Sequence, residues 1–186
     1  APKLVGSITR AVHLCETTLA FGRAEEPGPT LTLVPLAGLV DDVVESERLA
    51  CGDGQISFEA TVPLGLTVRG DPEQLYRVIS NLVRNARQAL GATGQAGRIT
   101  LDADEDAASW CIDVADDGPG LPAKAQEHLF TPFQGGARKG GSGLGLAIAS
   151  ELVRGHGGQL SLIETGPGGT RFRISLPKGD DALRSD

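Results

Sequence analysis

Two glycine-rich segments hold the residues whose types and spacing could bind an anion. Residues 116–120 have the sequence DDGPG, and residues 141–146 have the sequence GSGLGL. Glycine allows backbone amides to approach a ligand closely, because it has no Cβ and tolerates positive φ. The second segment leads directly into an apolar helical pattern, and a helix N-terminus presents N–H groups with partial positive charge. We therefore predict a nucleotide site, the alternative being a flexible loop before a helix.

Strand alternation predicts the direction of the Asp116 side chain. Counting in steps of two places Ile112, Val114 and Asp116 on one face of the strand that precedes the first segment. If that apolar face is the core face, Asp116 points inward, where a carboxylate needs a hydrogen-bond donor. The exocyclic amine of adenine is such a donor, whereas guanine would present a carbonyl. The alternative is that Asp116 caps the following turn; Asp117 is expected to point away.

A second group of polar residues lies on a predicted helix that starts at Asp71, a capping residue followed by Pro72. At about 100° per residue, Asn81, Asn85 and Gln88 lie together beside the apolar stripe of this helix. The carboxamide oxygen of Asn85 would suit Mg²⁺, a hard cation that takes oxygen ligands and keeps phosphates in its shell. The alternative is ordinary amides on a solvated face. The stripe itself consists of Leu75, Ile79, Leu82, Ala86 and Ala89.

Thr170 stands at the head of the last predicted strand, in phase with Phe172, Ile174 and Leu176. The phase predicts an inward hydroxyl, which could share a base or its bound waters with Asp116. The alternative is a strand-forming residue that satisfies its own turn.

The glycines of residues 141–146 do not match two other phosphate-binding signatures. Leu146 occupies the last glycine position of a G-x-G-x-x-G pattern, and the segment follows a loop rather than a strand. A Gly-Lys-Ser or Gly-Lys-Thr sequence, which a phosphate loop would require, does not occur in the chain.

Hydrophobic spacing predicts the elements that must position these residues. Helical spacing covers residues 3–23, 37–50, 71–90 and 144–154. Strand patterns cover residues 31–36, 56–62, 66–69, 99–103, 110–116, 159–163 and 170–176. Two hairpins are predicted, one joining 56–62 to 66–69 and the other joining 159–163 to 170–176. This order predicts an α+β sandwich with helices on one face of the sheet.

Composition limits the function classes. The net charge of −7 argues against non-specific binding to nucleic acid or to an anionic membrane. No apolar run approaches the length of a membrane span. Three cysteines (Cys15, Cys51 and Cys111) have no metal-type spacing, so we expect reduced, mostly buried thiols and a cytoplasmic location.

The length of 186 residues suits one domain with an appendage, and methionine is absent, so we expect a fragment of a longer protein. We predict a remnant helix of another domain over residues 1–26 and a linker over 27–30. The main domain is predicted over residues 31–177, followed by a polar tail over 178–186.

Five motifs, in the order of one family, resemble the sensor histidine kinases. Residues 81–86 (NLVRNA) resemble the N box and residues 116–120 the first glycine box of that family. Residues 129–133 (LFTPF) resemble the F box, residues 141–146 the second glycine box, and residues 168–170 (GGT) the closing motif. The resemblance covers roughly residues 31–177. It implies the two-layer Bergerat ATP-binding sandwich, with a mixed, mostly antiparallel sheet and helices on one face.

The resemblance also implies roles for single residues. Asn85 would hold Mg²⁺, and Asp116 would take the adenine amine with help from Thr170. Residues 119–141 would form a lid, from which Arg138 or Lys139 could reach the γ-phosphate; the alternative for this pair is a solvated lid tip. Phe130 and Phe133 would anchor the lid. The implied catalytic residues are Asn81, Asn85 and Lys139. The implied ATP-binding residues are Asn81, Asn85, Asp116, Gly118, Gly120, Arg138, Lys139, Gly141, Ser142, Gly143, Leu144, Gly145, Leu146 and Thr170.

Asn81 separates two reaction classes. In the ATP-hydrolysing relatives a glutamate at this position acts as general base on water, whereas an amide cannot usefully accept a proton. Transfer of the phosphoryl group to a protein nucleophile is therefore expected. His13, His128 and His156 lack the family's phosphoacceptor context, and residues 3–23 instead resemble the second helix of the dimerisation hairpin. We expect the chain to bind ATP without phosphorylating itself.

The expected partners follow from the same resemblance. They are ATP, a phosphoacceptor histidine domain of the same protein and a response-regulator receiver domain, within a homodimeric parent. Nucleic acid and direct membrane contact are not expected, although the parent could be a membrane-bound sensor with this part in the cytoplasm. Two alternatives of the same fold are an anti-sigma-type serine/threonine kinase and a catalytically silent nucleotide-binding module.

Overall fold

The computed structural model describes residues 27–52, 55–132 and 143–179. The helices are Leu36–Cys51 (α1), Pro72–Gly91 (α2), Ala123–Gln126 (α3) and Gly145–Gly155 (α4). The strands are Thr32–Pro35 (β1), Ile56–Thr61 (β2), Thr67–Gly70 (β3), Gly97–Glu105 (β4), Ser109–Asp116 (β5), Gln159–Gly166 (β6) and Gly169–Pro177 (β7). The predicted N-terminal helix and most of the predicted tail lie outside the described residues.

The main sheet has five strands in the order β2-β4-β5-β7-β6. The pairing of β2 with β4 is parallel, and the pairings β4–β5, β5–β7 and β6–β7 are antiparallel. Strands β1 and β3 form a separate antiparallel pair. The predicted mixed, mostly antiparallel sheet is therefore confirmed, as is the final hairpin.

The predicted hairpin between residues 56–62 and 66–69 is wrong. The first of these strands, β2, pairs with β4, and the second, β3, pairs with β1. The turn between them is real, since the Leu66 N–H donates to the Pro63 carbonyl at 3.1 Å. The pairing with β1 brings Val34 opposite Val68, and both side chains are buried. Burial of apolar side chains therefore overrides the pairing that sequence proximity suggested.

The core lies between one face of the sheet and the helices α1, α2 and α4. Alternate residues of β4 and β5, such as Ile99, Leu101 and Ile112, are fully buried in one cluster with side chains of the helices. All five residues of the predicted α2 stripe are buried. Each fully buried leucine or isoleucine stabilises the fold by roughly 1.5–3 kcal/mol relative to exposure.

Charged side chains cover the opposite face of the sheet. Asp113 accepts two hydrogen bonds from the Arg173 guanidinium, at 2.7 Å from Nε and 2.7 Å from Nη2. Cys111 also lies on this strand. It and Cys51 are free thiols, as expected, but both are half-buried rather than buried, and Cys15 lies outside the described residues. In the described residues, α1, α2 and α4 all pack in the cluster on the other, apolar face, in agreement with the predicted layer of helices.

The N-terminus of α2 is capped as its sequence predicts. Asp71 Oδ1 accepts the N–H groups of Glu73 and Gln74 at 3.1 and 3.0 Å. Asp71 Oδ2 accepts the Thr30 N–H at 3.0 Å, and the Gln74 side chain donates to the Pro27 carbonyl at 3.1 Å. The predicted linker, residues 27–30, is therefore hydrogen-bonded to the start of the helix that carries Asn81 and Asn85.

In the ranges that the structure describes, we find no helix with the length and apolarity needed to cross a membrane.

Candidate nucleotide-binding site

Asp116 and Thr170 lie side by side at the end of the main sheet. They are register partners between β5 and β7. The Cβ atoms of two directly opposite residues on paired antiparallel strands lie about 4.5–5.5 Å apart. Thr170 is buried and Asp116 half-buried, both in phase with the core-facing residues of their strands. The structure therefore brings the two predicted base-contacting side chains together on the helix-covered face.

The Asp116 carboxylate also organises the first glycine segment. Its Oδ1 accepts the Gly118 N–H at 2.9 Å, so the capping alternative is part of the structure. A Cβ added to Gly118 would lie 2.7 Å from that same oxygen and 3.3 Å from Leu90, so a side chain would displace its neighbours. A carboxylate offers about four acceptor positions, so the turn bond leaves capacity for an amine. The two interpretations of Asp116 are compatible.

Asp117 points away from the site, as predicted. Its side chain is exposed, and its Oδ1 accepts the Arg98 N–H at 2.7 Å. Asp117 therefore joins the glycine segment to β4.

The turn between β6 and β7 packs closely on the first glycine segment. Gly120 has a φ of +76°, and a Cβ added there would collide with the Gly166 carbonyl. Gly169 has a φ of +123°, and its Cβ would collide with the Asp116 carbonyl. Close backbone packing and a positive φ therefore explain why glycine occupies position 169. Gly169 is a residue of the candidate site that the predicted set omitted.

Thr165 is a further residue that sequence reasoning missed. Its hydroxyl accepts the Leu121 N–H at 2.7 Å and lies 3.2 Å from the Thr170 hydroxyl. Thr165 and Thr170 are register partners across the β6–β7 hairpin. Counting the register outward from the glycine turn would have identified Thr165 as the neighbour of Thr170.

The phosphate end of the predicted site lies where α2 packs against α4. Asn81 and Asn85 are half-buried, one turn apart on α2. A Cβ added to Gly145, the first residue of α4, would lie 3.4 Å from Asn81 Oδ1. The first N–H groups of a helix have no partner within it, so this end of α4 can offer donors to an anion beside Asn81.

Three more residues of the second glycine segment lie at that helix start. Gly143 has a φ of +68°, which favours glycine. Leu144 is fully buried and Leu146 packs against the core, so both side chains hold the segment in place rather than face a ligand.

The residues fit a magnesium ion that is shared with phosphates rather than held by a protein cage. In the described part of the chain, no group of three or more His, Cys, Asp or Glu side chains could hold a metal ion. The Asn85 carboxamide supplies an oxygen of the kind that Mg²⁺ prefers, with phosphates and water completing the shell.

Several predicted residues lie outside the described residues. Arg138, Lys139, Gly141 and Ser142 belong to residues 133–142, as does Phe133. Of the F box, Leu129 is buried and Phe130 packs against the core, in agreement with a role as an anchor for the segment that follows.

His156 is buried at the C-terminus of α4 and joins it to α2. The Asp71 N–H donates to its Nε2 at 3.0 Å, and its Nδ1 lies 2.7 Å from the Leu152 carbonyl. A backbone N–H can only donate, so Nε2 accepts from Asp71, and Nδ1 is left to donate to the Leu152 carbonyl. Both nitrogens are engaged, which agrees with the prediction that His156 is not a phosphoacceptor.

Comparison with known proteins identifies the family. The protein-family model described as "Histidine kinase-, DNA gyrase B-, and HSP90-like ATPase" matches residues 70–180 of the chain. The sensory histidine kinase/phosphatase NtrB of Rhodobacter capsulatus is 35% identical over 184 residues, which is 94% of this chain and 51% of that protein. The solved mycobacterial sensor histidine kinase MprB superposes with a TM-score of 0.67 at 30% identity, over 78% of this chain and 97% of that one.

A third similar structure is full-length ShkA in complex with AMPPNP, with a TM-score of 0.71 at 26% identity, over 94% of this chain and 36% of that one. The chain spans about half or less of the length of the curated relatives that it matches. The residues that match the family model include helix α2 with its cap, both Asp116 and Thr170, and the start of α4. The chain belongs to the histidine kinase-, DNA gyrase B- and HSP90-like ATPase family, as the ATP-binding catalytic domain of a histidine kinase.

Proposed function

We propose that this domain binds Mg·ATP and that its parent protein transfers the γ-phosphate to a histidine on a dimerisation-domain helix. The phosphate would then pass to an aspartate of a response regulator. The observation that carries the proposal is the Asp116–Thr170 pair, an acceptor and a hydroxyl side by side on the helix-covered face. The similar structure of full-length ShkA is a complex with AMPPNP, which supports a nucleotide as the ligand of this domain.

We assign the roles as follows. Asp116 accepts the adenine amine, with Thr170 beside it, and the N-terminus of α4 binds phosphate oxygens next to Asn81. When bound, Mg²⁺ would neutralise phosphate charge, with the Asn85 oxygen in its shell. Arg138 and Lys139 are proposed to approach the γ-phosphate from the lid.

Asn81 favours transfer over hydrolysis. Its amide lies against the start of α4, where it can donate to a phosphate oxygen, but it has no suitable pKa for activating water. The similarity to sensor histidine kinases also weighs against the anti-sigma-type kinase and the silent nucleotide-binding module.

The partners of the parent protein are part of the proposal. We infer a homodimeric parent, because the chain resembles sensor histidine kinases, whose phosphoacceptor histidine lies on a helix of a dimerisation domain. We place the domain in the cytoplasm, where ATP and a receiver domain are accessible.

Nucleotide titration of matched variants tests the base-binding role. Asp116→Asn should weaken Mg·ATP binding by tenfold or more, at least about 1.4 kcal/mol. The neutral amide oxygen of asparagine is a weaker acceptor for the adenine amine than the charged carboxylate oxygen. Asp117→Asn, one residue along and exposed, should change the affinity by less than about twofold. Equal affinities in wild type and Asp116→Asn, measured by calorimetry, would sink the assignment.

The metal role is tested separately. Asn85→Ala should raise the Mg²⁺ concentration needed for half-maximal ATP binding, because an oxygen ligand is lost. Gln88→Ala, on the same side of α2, should leave it unchanged. Detection of phosphohistidine in the full-length parent, together with its loss in Asn85→Ala, tests the kinase reaction itself.

A further inference from the structure

Thr165 lies between the lid's first residues and the predicted base pocket. Its hydroxyl is 2.7 Å from the Leu121 nitrogen and 3.2 Å from the Thr170 hydroxyl oxygen. Gly120, which precedes Leu121, packs against Gly166, which follows Thr165. The hydroxyl therefore sits at a close junction between the first glycine segment and the β6–β7 hairpin.

Either hydroxyl can donate across the contact between Thr165 and Thr170. A backbone N–H can only donate, so the Thr165 oxygen already accepts one hydrogen bond from Leu121, and this favours Thr165 as the donor to Thr170. A hydroxyl has a single hydrogen, and the Thr170 oxygen lies within reach of the one on Thr165. If Thr165 donates to Thr170, the hydrogen of Thr170 must point away from Thr165. Thr170 is buried and its other cross-strand neighbour is Asp116, so in this arrangement the hydrogen of Thr170 would point to the side on which Asp116 lies.

We propose that Thr165 is a positioning residue that orients the Thr170 hydroxyl as a hydrogen-bond donor towards the purine. The inference rests on the proposed function, in which Asp116 accepts the exocyclic amine of adenine. The ring nitrogen next to that amine, N1, is an acceptor in adenine. A donor beside Asp116 therefore completes an acceptor–donor pair that matches the adenine edge, either directly or through one water.

The same orientation rejects other purines. In hypoxanthine and guanine, N1 carries a hydrogen and the neighbouring carbon carries a carbonyl oxygen. A Thr170 hydroxyl that is held as a donor then faces another donor, and an unpaired buried polar group is costly. Thr165 would thus contribute to base selection without touching the base.

A pair of variants and a pair of nucleotides isolate this effect. Thr165→Val keeps the shape of the side chain and removes the hydroxyl, whereas Thr165→Ser keeps the hydroxyl. Each is titrated with Mg·ATP and with 1-deaza-ATP, in which N1 is replaced by a C–H group and the amine remains. Wild type should prefer ATP to 1-deaza-ATP, because only ATP accepts at N1.

The expected result is a coupling between the variant and the nucleotide. Thr165→Val should bind ATP roughly tenfold more weakly but 1-deaza-ATP within about twofold of wild type. Thr165→Ser should retain the preference for ATP. A merely structural role would weaken both nucleotides equally, and that outcome, or an unchanged preference in Thr165→Val, overturns the inference.

Two controls keep the test decisive. Thr165→Ala also lacks the hydroxyl, so the same coupling is measured there if Thr165→Val does not fold. Failure of wild type to bind ATP would refute the proposed function, whereas normal ATP binding without coupling refutes only the role of Thr165.

Discussion

Asp71 shows how one side chain can set both the start of a helix and its response to pH. Partial burial raises the pKa of Asp71, but hydrogen bonds from the N–H groups of Gln74, Thr30 and Glu73 outweigh it and lower the pKa below its ordinary value. The charged carboxylate is therefore favoured in the folded state. Its stabilising contribution is fully present above the unfolded-state pKa, about 3.9, and is lost as the pH falls through the lower folded-state pKa.

Two substitutions separate the cap from its charge. Asp71→Ala should lower the free energy of unfolding at pH 7 by about 1 kcal/mol, because two N–H groups of α2 lose their acceptor. Asp71→Asn should lose less, since asparagine also caps helices. The difference in the free energy of unfolding between wild type and Asp71→Asn should become smaller below about pH 4. Urea denaturation between pH 7 and pH 3 measures it, and a difference independent of pH would contradict the argument.

His156 makes a prediction of the same kind. His156→Leu fills the volume but leaves the Asp71 N–H and the Leu152 carbonyl without this partner. We expect a loss of about 2 kcal/mol in the free energy of unfolding. His156→Gln retains an acceptor for Asp71 and should lose less than His156→Leu; equal losses in thermal unfolding would show that the hydrogen bonds are unimportant.

At the scale of elements, a buried carboxylate joins α1 to the helix that carries Asn81 and Asn85. Glu47 is 4% exposed, accepts from Arg87 Nε at 2.7 Å and lies 3.6 Å from Arg84 Nε. Glu47→Ala should destabilise the domain by about 1–2 kcal/mol, less than for a fully buried pair because both guanidinium groups are partly exposed. Glu45→Ala, exposed on the same helix, should change the free energy by less than about 0.5 kcal/mol in the same urea measurement.

The contact between α2 and α4 makes a prediction about the ligand. Gly145→Ala would place a methyl group 3.4 Å from Asn81 Oδ1, at the end of α4 that is proposed to receive phosphate. We expect ATP affinity to fall by about tenfold while stability is kept, since alanine favours a helix. In contrast, Gly38→Ala in α1, where a Cβ would meet nothing within 4 Å, should raise stability by up to about 1 kcal/mol and leave ATP binding unchanged. Equal ATP affinities in Gly145→Ala and wild type would refute the placement.

For the whole molecule, the expected behaviour is ATP binding without turnover. Asn81 offers no base for water, and the two described histidines, His128 and His156, lack the family's phosphoacceptor context. His156 in addition has both ring nitrogens engaged. The chain incubated with Mg·ATP should therefore release phosphate no faster than its Asn85→Ala variant and should carry no acid-labile phosphate. Steady multiple-turnover hydrolysis would instead indicate a general base for water elsewhere in the chain.

Local patterns in the chain were enough to predict much of the molecule. Helix α2, its cap at Asp71 and its buried stripe follow from turn chemistry and from a period of 3.6 residues, which involve only near neighbours in sequence. The inward direction of Asp116 and Thr170 follows from the period of two in strands. The order of the motifs, compared with the pattern of a known family, predicted the ATP-binding residues, and their roles stay a prediction.

Pairings between distant segments could not be read in this way. Strands β2 and β3 are adjacent in sequence but pair with β4 and β1, because the buried contact of Val34 with Val68 depends on the whole core. The bond of His156 to Asp71 and that of Thr165 to Leu121 span 85 and 44 residues. A polar group's partner inside a protein is set by which segments are brought together by apolar burial, and no local period encodes that choice.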